Sequence, residues 1–129
     1  MPKPIELLLV EDSAGDIMLI RQVLSREPMQ ISIRVAVDGK QAKEILDGHE
    51  FIPDLVILDL NIPQPSGFAV LQDIQPDVPV VVFTSSSNPQ DRLRSFDLGA
   101  KDYVRKPVDL AEYSAEVSRM VRTWASRAA

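Results

Sequence analysis

The chain has 129 residues, 45% hydrophobic and 26% charged, the size and balance of one globular domain. It has no cysteine, which removes disulfide frameworks, thiol nucleophiles and cysteine metal sites together. A net charge of −5 disfavours electrostatic wrapping of nucleic acid, and no apolar run approaches the roughly 18 residues of a membrane span. Along the chain, apolar runs alternate with amphipathic stretches. Ile5 to Val10 is a compact apolar strand with one charge, Glu6. Ala14 to Arg26 carries Ile17, Ile20 and Leu24 at helical spacing, with Met18 at a core or boundary position. Ile31 to Val37 alternates with period two, as a half-exposed strand does. Asp38 and Gln41 form a capping-box pattern before a short stripe of Ala42, Ile45 and Leu46, and His49 falls in a solvated loop. Asp54 to Leu58 is apolar after its first residue and stops at Asp59. Ser66 to Ile74 is a short helix with Phe68, Leu71 and Ile74 on one face. Val80 to Phe83 is fully apolar and ends at Thr84. Asn88 and Pro89 read as N-cap and first helical position, and Gly99 as the stop. Asp102 to Val104 is a last short strand before Lys106 and Pro107. Asp109 and Glu112 then open a helix whose stripe is Leu110, Tyr113, Val117, Met120, Val121 and Trp124.

Five strands in strict alternation with five helices predict an α/β fold: a doubly wound, five-stranded parallel sheet with helices on both faces. The first, third and fourth strands are apolar enough to be central, whereas the alternating second suits an edge. The order 2-1-3-4-5 satisfies both. One domain is expected to fill residues 1–129.

Ligands of such sheets bind at the carboxyl ends of the strands. Glu11 and Asp12 follow the first strand, Asp59 the third, Thr84 and Ser85 the fourth, and Lys106 the fifth. An Asp closing one apolar strand is usually a turn residue or a cap. The signal lies in the joint placement, which delivers three carboxylates, a hydroxyl and an amine to one rim. Crowded carboxylates need a cation, raised pKa values or a nearby amine. A hard cation such as Mg²⁺ suits oxygen ligands and leaves room for water or a phosphoryl oxygen. Lys106 and Thr84 could hold further phosphoryl oxygens, leaving Asp59 as a carboxylate nucleophile toward phosphorus.

The segments LLLVEDS, DLVILDLNIPQPSG, VVVFTSSS and GAKDYVRKP resemble the receiver domain of two-component response regulators. Pro63 and Gly67 lie four and eight residues after Asp59, and Lys106 lies 22 after Thr84, as in that family. The resemblance runs from about Ile5 to Trp124. It implies the flavodoxin-like receiver fold and a phosphorylation-dependent signalling switch rather than an enzyme acting on other substrates. It implies Asp59 as phosphoryl acceptor, with Thr84 and Lys106 as its catalytic partners. Thr84 and Tyr103 would be the switch pair. Mg²⁺ is the implied cofactor, held by Asp12, Asp59 and the carbonyl of Asn61, with Glu11 acting through a metal-bound water. The implied partners are a sensor histidine kinase docking near the first helix and a downstream protein reading helix 4, strand 5 and helix 5. No direct nucleic-acid or membrane contact is implied, and a cytoplasmic location is expected. VEDSAGDIMLIRQVL, FTSSSNPQD with KPVDL, and Trp124 are similar to stand-alone regulators that serve phytochrome-type kinases, with no output domain. Trp124 either covers the end of the last helix within the monomer or anchors a homodimer, the second being the preferred expectation.

Two departures stand out. Only 25 residues separate Asp59 from Thr84, which trims the end of the third helix and its loop. The acceptor loop carries Gln64 and Pro65 where that family often has small or polar residues, and Pro65 is expected to stiffen it. Three rivals fit less well. A metal-dependent phosphohydrolase with an aspartyl nucleophile would carry that nucleophile after the first strand. A flavodoxin-type module would need a phosphate-cradling loop where Glu11 to Asp16 is acidic. A degenerate receiver would lack site residues that are all present here.

Overall fold

The computed structural model describes residues 3–48, 50–63 and 66–125. His49, Gln64 and Pro65 lie outside the described residues, and with them the readings made for that loop and for the acceptor-loop stiffening. The elements run β1 (Ile5–Val10), α1 (Ala14–Ser25), β2 (Ile31–Ala36), α2 (Gly39–Asp47), β3 (Leu55–Leu58), α3 (Gly67–Asp73), β4 (Val80–Thr84), α4 (Pro89–Asp97), β5 (Asp102–Arg105) and α5 (Leu110–Trp124). The strands form one sheet in the order β2-β1-β3-β4-β5, every neighbouring pair parallel. The expected architecture and order are therefore the observed ones.

Burial explains the order. All of β3 and β4 and the last four residues of β1 are buried, whereas β2 alternates and lies at the edge. Successive side chains of the buried strands point to opposite faces and build two cores. Leu7, Leu9, Ile57 and Phe83 face one way, onto Ile20 and Leu24 of α1 and Val117, Met120 and Val121 of α5. Leu8, Val10, Leu58 and Val82 face the other way, onto Ala42 of α2 and Val70 and Leu71 of α3. Each such Leu, Val or Ile contributes about 1.5–3 kcal/mol on burial.

Side-chain caps set the helix starts. Ser13, Asp38, Ser66, Asn88 and Asp109 each accept a backbone N–H from the first turn of the helix that follows. Such a cap contributes about 1 kcal/mol. The capping box at Asp38 departs from the ideal pattern: Gln41 Oε1 accepts from the Val37 N–H at 3.0 Å, one residue ahead of the cap. Helix α4 ends in a Schellman turn. The Ala100 N–H bonds the Ser95 carbonyl and the Gly99 N–H bonds the Phe96 carbonyl, with Gly99 at φ 106°.

Several local expectations need correction. Met18 is 62% exposed, because α1 buries the face of Ile20, Val23 and Leu24 and Met18 lies on its far side. Leu110 is also 62% exposed. It is the first residue of α5, and the buried stripe begins only at Tyr113. In α3 the buried positions are Val70 and Leu71, with Phe68 and Ile74 half-buried beside them. The Phe68 ring lies under the Arg94 guanidinium at 4.1 Å. Trp124 is half-buried against the α1–α5 core. Asp54 precedes β3 but still pairs with Glu6: its N–H bonds the Glu6 carbonyl, and its carboxylate accepts the Glu6 N–H at 2.9 Å. Helix α3 has seven residues, in keeping with the short span before Thr84.

Candidate functional site

The sheet hydrogen bonding runs one residue past the strand ends, which fixes the site. The Glu11 N–H bonds the Ala36 carbonyl at 2.9 Å, the Asp59 N–H bonds the Val10 carbonyl at 3.0 Å, and the Lys106 N–H bonds the Thr84 carbonyl at 2.7 Å. Glu11, Asp59 and Lys106 are thus anchored by backbone as firmly as the strands beneath them. Thr84 is itself the last residue of β4 and is wholly buried.

The side chains converge. Lys106 Nζ lies 2.6 Å from Glu11 Oε1 and 3.0 Å from Asp59 Oδ2. Glu11, Asp12 and Asp59 each turn a carboxylate oxygen inward, and these oxygens all lie within 4.8 Å of one another. Glu11 and Asp59 are buried and Asp12 is exposed, so the cluster opens to water on the Asp12 side. Asn61 bends back over the site. Its N–H donates to Asp59 Oδ1 at 3.0 Å, and its side-chain amide reaches Thr84 Oγ1 at 3.5 Å. The Ser86 N–H approaches the same hydroxyl at 3.4 Å. Both contacts to Thr84 are long, which leaves that hydroxyl weakly held. Tyr103, on β5, is half-buried and donates its hydroxyl to the Ser86 carbonyl at 3.1 Å. All the sequence-predicted site residues therefore gather at one rim.

Two residues at this site were not expected there. Asp16, in the first turn of α1, places Oδ2 3.1 Å from Lys106 Nζ. Its Oδ1 accepts the Tyr113 hydroxyl at 2.5 Å. The apolar stripe of α5 hid Tyr113. The available signal was its phenol, because a buried tyrosine hydroxyl needs a partner.

Charge crowding tunes the groups. Burial, reinforced by the neighbouring Asp59 charge, pushes Glu11 up to about 7 despite its bond to Lys106. Burial works against the Lys106 ammonium, but its hydrogen bond to Glu11 and the charge of Asp59 outweigh that and raise its pKa. Burial would likewise raise Asp16, yet the Tyr113 hydroxyl and the Lys106 charge hold it below the usual carboxylate range. Burial and then the Asp16 bond push Tyr113 upward.

The donor set fits a hard divalent cation. It is all oxygen, it carries excess negative charge beyond Lys106, and one side is open to water. The best-fitting residues for Mg²⁺ are thus Asp12 and Asp59, with Glu11 behind them. The Glu11 carboxylate also takes the Lys106 ammonium directly, at 2.6 Å.

Comparison with known proteins agrees with this geometry. Residues 7–118 match the family model described as the response regulator receiver domain. The chain is 35% identical over 121 residues to the "Probable transcriptional regulator ycf27" of Guillardia theta, covering 91% of this chain and 45% of that one. It is 34% identical over 131 residues to "Response regulator Rcp1" of Synechocystis, covering 94% and 89%. The chain spans less than half the length of the first curated relatives it matches, whereas it spans most of Rcp1. The crystal structure of the phosphorylated cyanobacterial phytochrome response regulator RcpA superposes with a TM-score of 0.90 at 32% identity, covering 98% of both chains. The Mn²⁺-bound form of Rcp1 gives 0.86 at 33% identity, covering 95% of both. Among the described residues no helix is long and apolar enough to cross a membrane.

Proposed function

Because the chain belongs to the response regulator receiver domain family, we propose that it is a phosphorylation-driven switch with Asp59 as the acceptor. The observation that carries this reading is the buried Asp59 carboxylate, held by the Asn61 N–H on one oxygen and by Lys106 on the other. One oxygen of Asp59 attacks the phosphorus of a phosphohistidine or a small acyl phosphate. The bond to the donor nitrogen or oxygen breaks, an acyl phosphate forms, and water later hydrolyses it to regenerate the carboxylate. Lys106 offers its charge to the transferring phosphoryl oxygens, and Thr84 offers the weakly held hydroxyl. When bound by Asp12, Asp59 and the Asn61 carbonyl, Mg²⁺ supplies further charge neutralisation for those oxygens.

The partners follow the same reading. A sensor histidine kinase is the donor, and the likeness to RcpA and Rcp1 favours one of phytochrome type. The output surface is α4, β5 and α5, whose elements and junctions expose Leu93, Phe96, Val108 and Leu110. A downstream protein or a second copy of the chain is its reader. The coupling to that surface runs from Thr84 through Ser86 to Tyr103, which are already joined by hydrogen bonds.

The test is intact mass after incubation with acetyl phosphate, with and without a chelator. One added phosphoryl group, lost on treatment with hydroxylamine and absent when divalent cations are chelated, is expected. Hydroxylamine cleaves acyl phosphates and spares phosphoserine and phosphothreonine. A chelator-insensitive or hydroxylamine-stable adduct, or none, overturns the reading. Metal binding has its own check in thermal melts. Mg²⁺ at 100 times its Kd is expected to add about 2.7 kcal/mol of stability by binding only the native state. Asp12→Ala is expected to abolish most of that shift while melting no lower without metal, since Asp12 is exposed among like charges. An undiminished shift in the variant would place the metal elsewhere.

A further inference from the structure

An ammonium group has three protons, and each one on Lys106 has a carboxylate to meet. Glu11 lies at 2.6 Å, Asp59 at 3.0 Å and Asp16 at 3.1 Å. Asp16 stands apart from the other two. It comes from α1 rather than from a strand end, and its side chain is 23% exposed against 2% for Glu11 and 6% for Asp59. Its second oxygen is taken by the hydroxyl of Tyr113, which rises from α5 with its ring edge-on to Phe83 at 5.1 Å. One hydrogen-bonded path thus joins α1, the β5 end and α5 at the acceptor.

We infer that Asp16, anchored by the Tyr113 hydroxyl, is a positioning residue that parks Lys106 in the unphosphorylated protein and gives it up when a phosphoryl group arrives on Asp59. The inference rests on the reading of Asp59 as acceptor. A phosphoryl group brings new anionic oxygens within reach of Nζ, but Nζ has no spare proton. Acylation takes the charge from Asp59 and passes its bond to one phosphoryl oxygen; a second phosphoryl contact must come at the expense of Glu11 or Asp16. Breaking the Glu11 bond would strand a buried carboxylate without its counter-charge, which is costly. Asp16 has the longest of the three bonds, the most access to water, and a second partner that it keeps. Of these two it is therefore the acceptor that exchanges more cheaply. Its release changes what the Tyr113 hydroxyl faces, which carries the event into α5.

Beryllofluoride with Mg²⁺ is a non-covalent phosphoryl mimic that reads this exchange. Its affinity would be measured for the wild type, Asp16→Asn and Tyr113→Phe, with Asp59→Asn as the control for site occupancy and melting curves to confirm folding. Removing the competing hold on Lys106 is expected to tighten binding about fivefold in Asp16→Asn, the worth of one net hydrogen bond. Tyr113→Phe is expected to tighten it in the same sense by less. It keeps the Asp16 charge, so its effect separates the anchoring of Asp16 from simple loss of a negative charge. In wild type with ring-labelled tyrosine, the Tyr113 ¹³Cζ resonance, assigned through Tyr113→Phe, is expected to move on beryllofluoride addition. Tighter binding in Asp16→Asn alone, unchanged or weaker binding in both variants, or an unmoved Tyr113 resonance overturns the inference while leaving the acceptor reading intact. Failure of the wild type to take up beryllofluoride, or uptake that survives Asp59→Asn, sinks the acceptor reading and this role with it.

Discussion

Asparagine in place of Asp59 is expected to leave the chain folded and unable to take up phosphoryl groups. The substitution is nearly isosteric, and the Asn61 N–H that now meets Asp59 Oδ1 at 3.0 Å can meet an amide oxygen equally well. What disappears is the anionic nucleophile. An amide oxygen is far too weak a base to form an acyl phosphate at a useful rate, and no general base can restore it. Stability moves the other way from activity. The Asp59 charge is one of the causes raising Glu11, so its removal relieves repulsion within the buried cluster. A melting temperature equal to or above that of the wild type is expected, together with no adduct by intact mass after acetyl phosphate. An adduct of the same yield in Asp59→Asn would move the acceptor to another carboxylate. Loss of folding would show that the Lys106–Asp59 pair is structural.

The second large effect concerns Gly67, the first residue of α3. A Cβ built there lies 2.6 Å from the Leu60 Cα and 2.8 Å from the Asp59 carbonyl oxygen. Both are backbone atoms, so no side chain can swing aside. Gly67 also donates its N–H to the Leu60 carbonyl at 3.3 Å, closing the loop that carries the acceptor. Gly67→Ala is expected to destabilise the fold by about 2–3 kcal/mol, the upper part of the range for overpacking. For a chain of this size that lowers the melting temperature by roughly 10 °C. Phosphoryl uptake is expected to fall as well, because relief of the clash must move the peptide of the nucleophile itself. Gly15 supplies the control: its Cβ would meet nothing nearer than Ser13 Oγ at 3.9 Å, so Gly15→Ala is expected to melt close to the wild type. Equal melting of Gly67→Ala and wild type would show that the α3 entry is looser than these distances state.

Most of the fold was legible because its signals are local. The unbroken apolar runs at Leu55–Leu58 and Val80–Phe83 can only be central strands, and the caps at Asn88 and Asp109 set helix starts to the residue. The rim residues were legible because strand ends are predictable and parallel strands end on one side. What escaped depends on contacts between distant parts of the chain. The Tyr113–Asp16 bond joins residues 97 apart, and periodicity counts a tyrosine on a stripe as apolar. Met18 and Leu110 escaped for a different reason. Helical spacing marks an apolar face, but the partner element decides how far that face is covered.

The sheet divides the interior into two cores that share almost nothing but the strands between them. Tyr113 belongs to the core under α1 and α5, and Tyr103 packs on the core under α2 and α3. The Tyr113 hydroxyl reaches Asp59 through Asp16 and Lys106, and the Tyr103 hydroxyl reaches it through Ser86, Thr84 and Asn61. On the proposed reading, a single covalent event at the rim would be felt on both sides of this wall, through Tyr113 on one side and Tyr103 on the other.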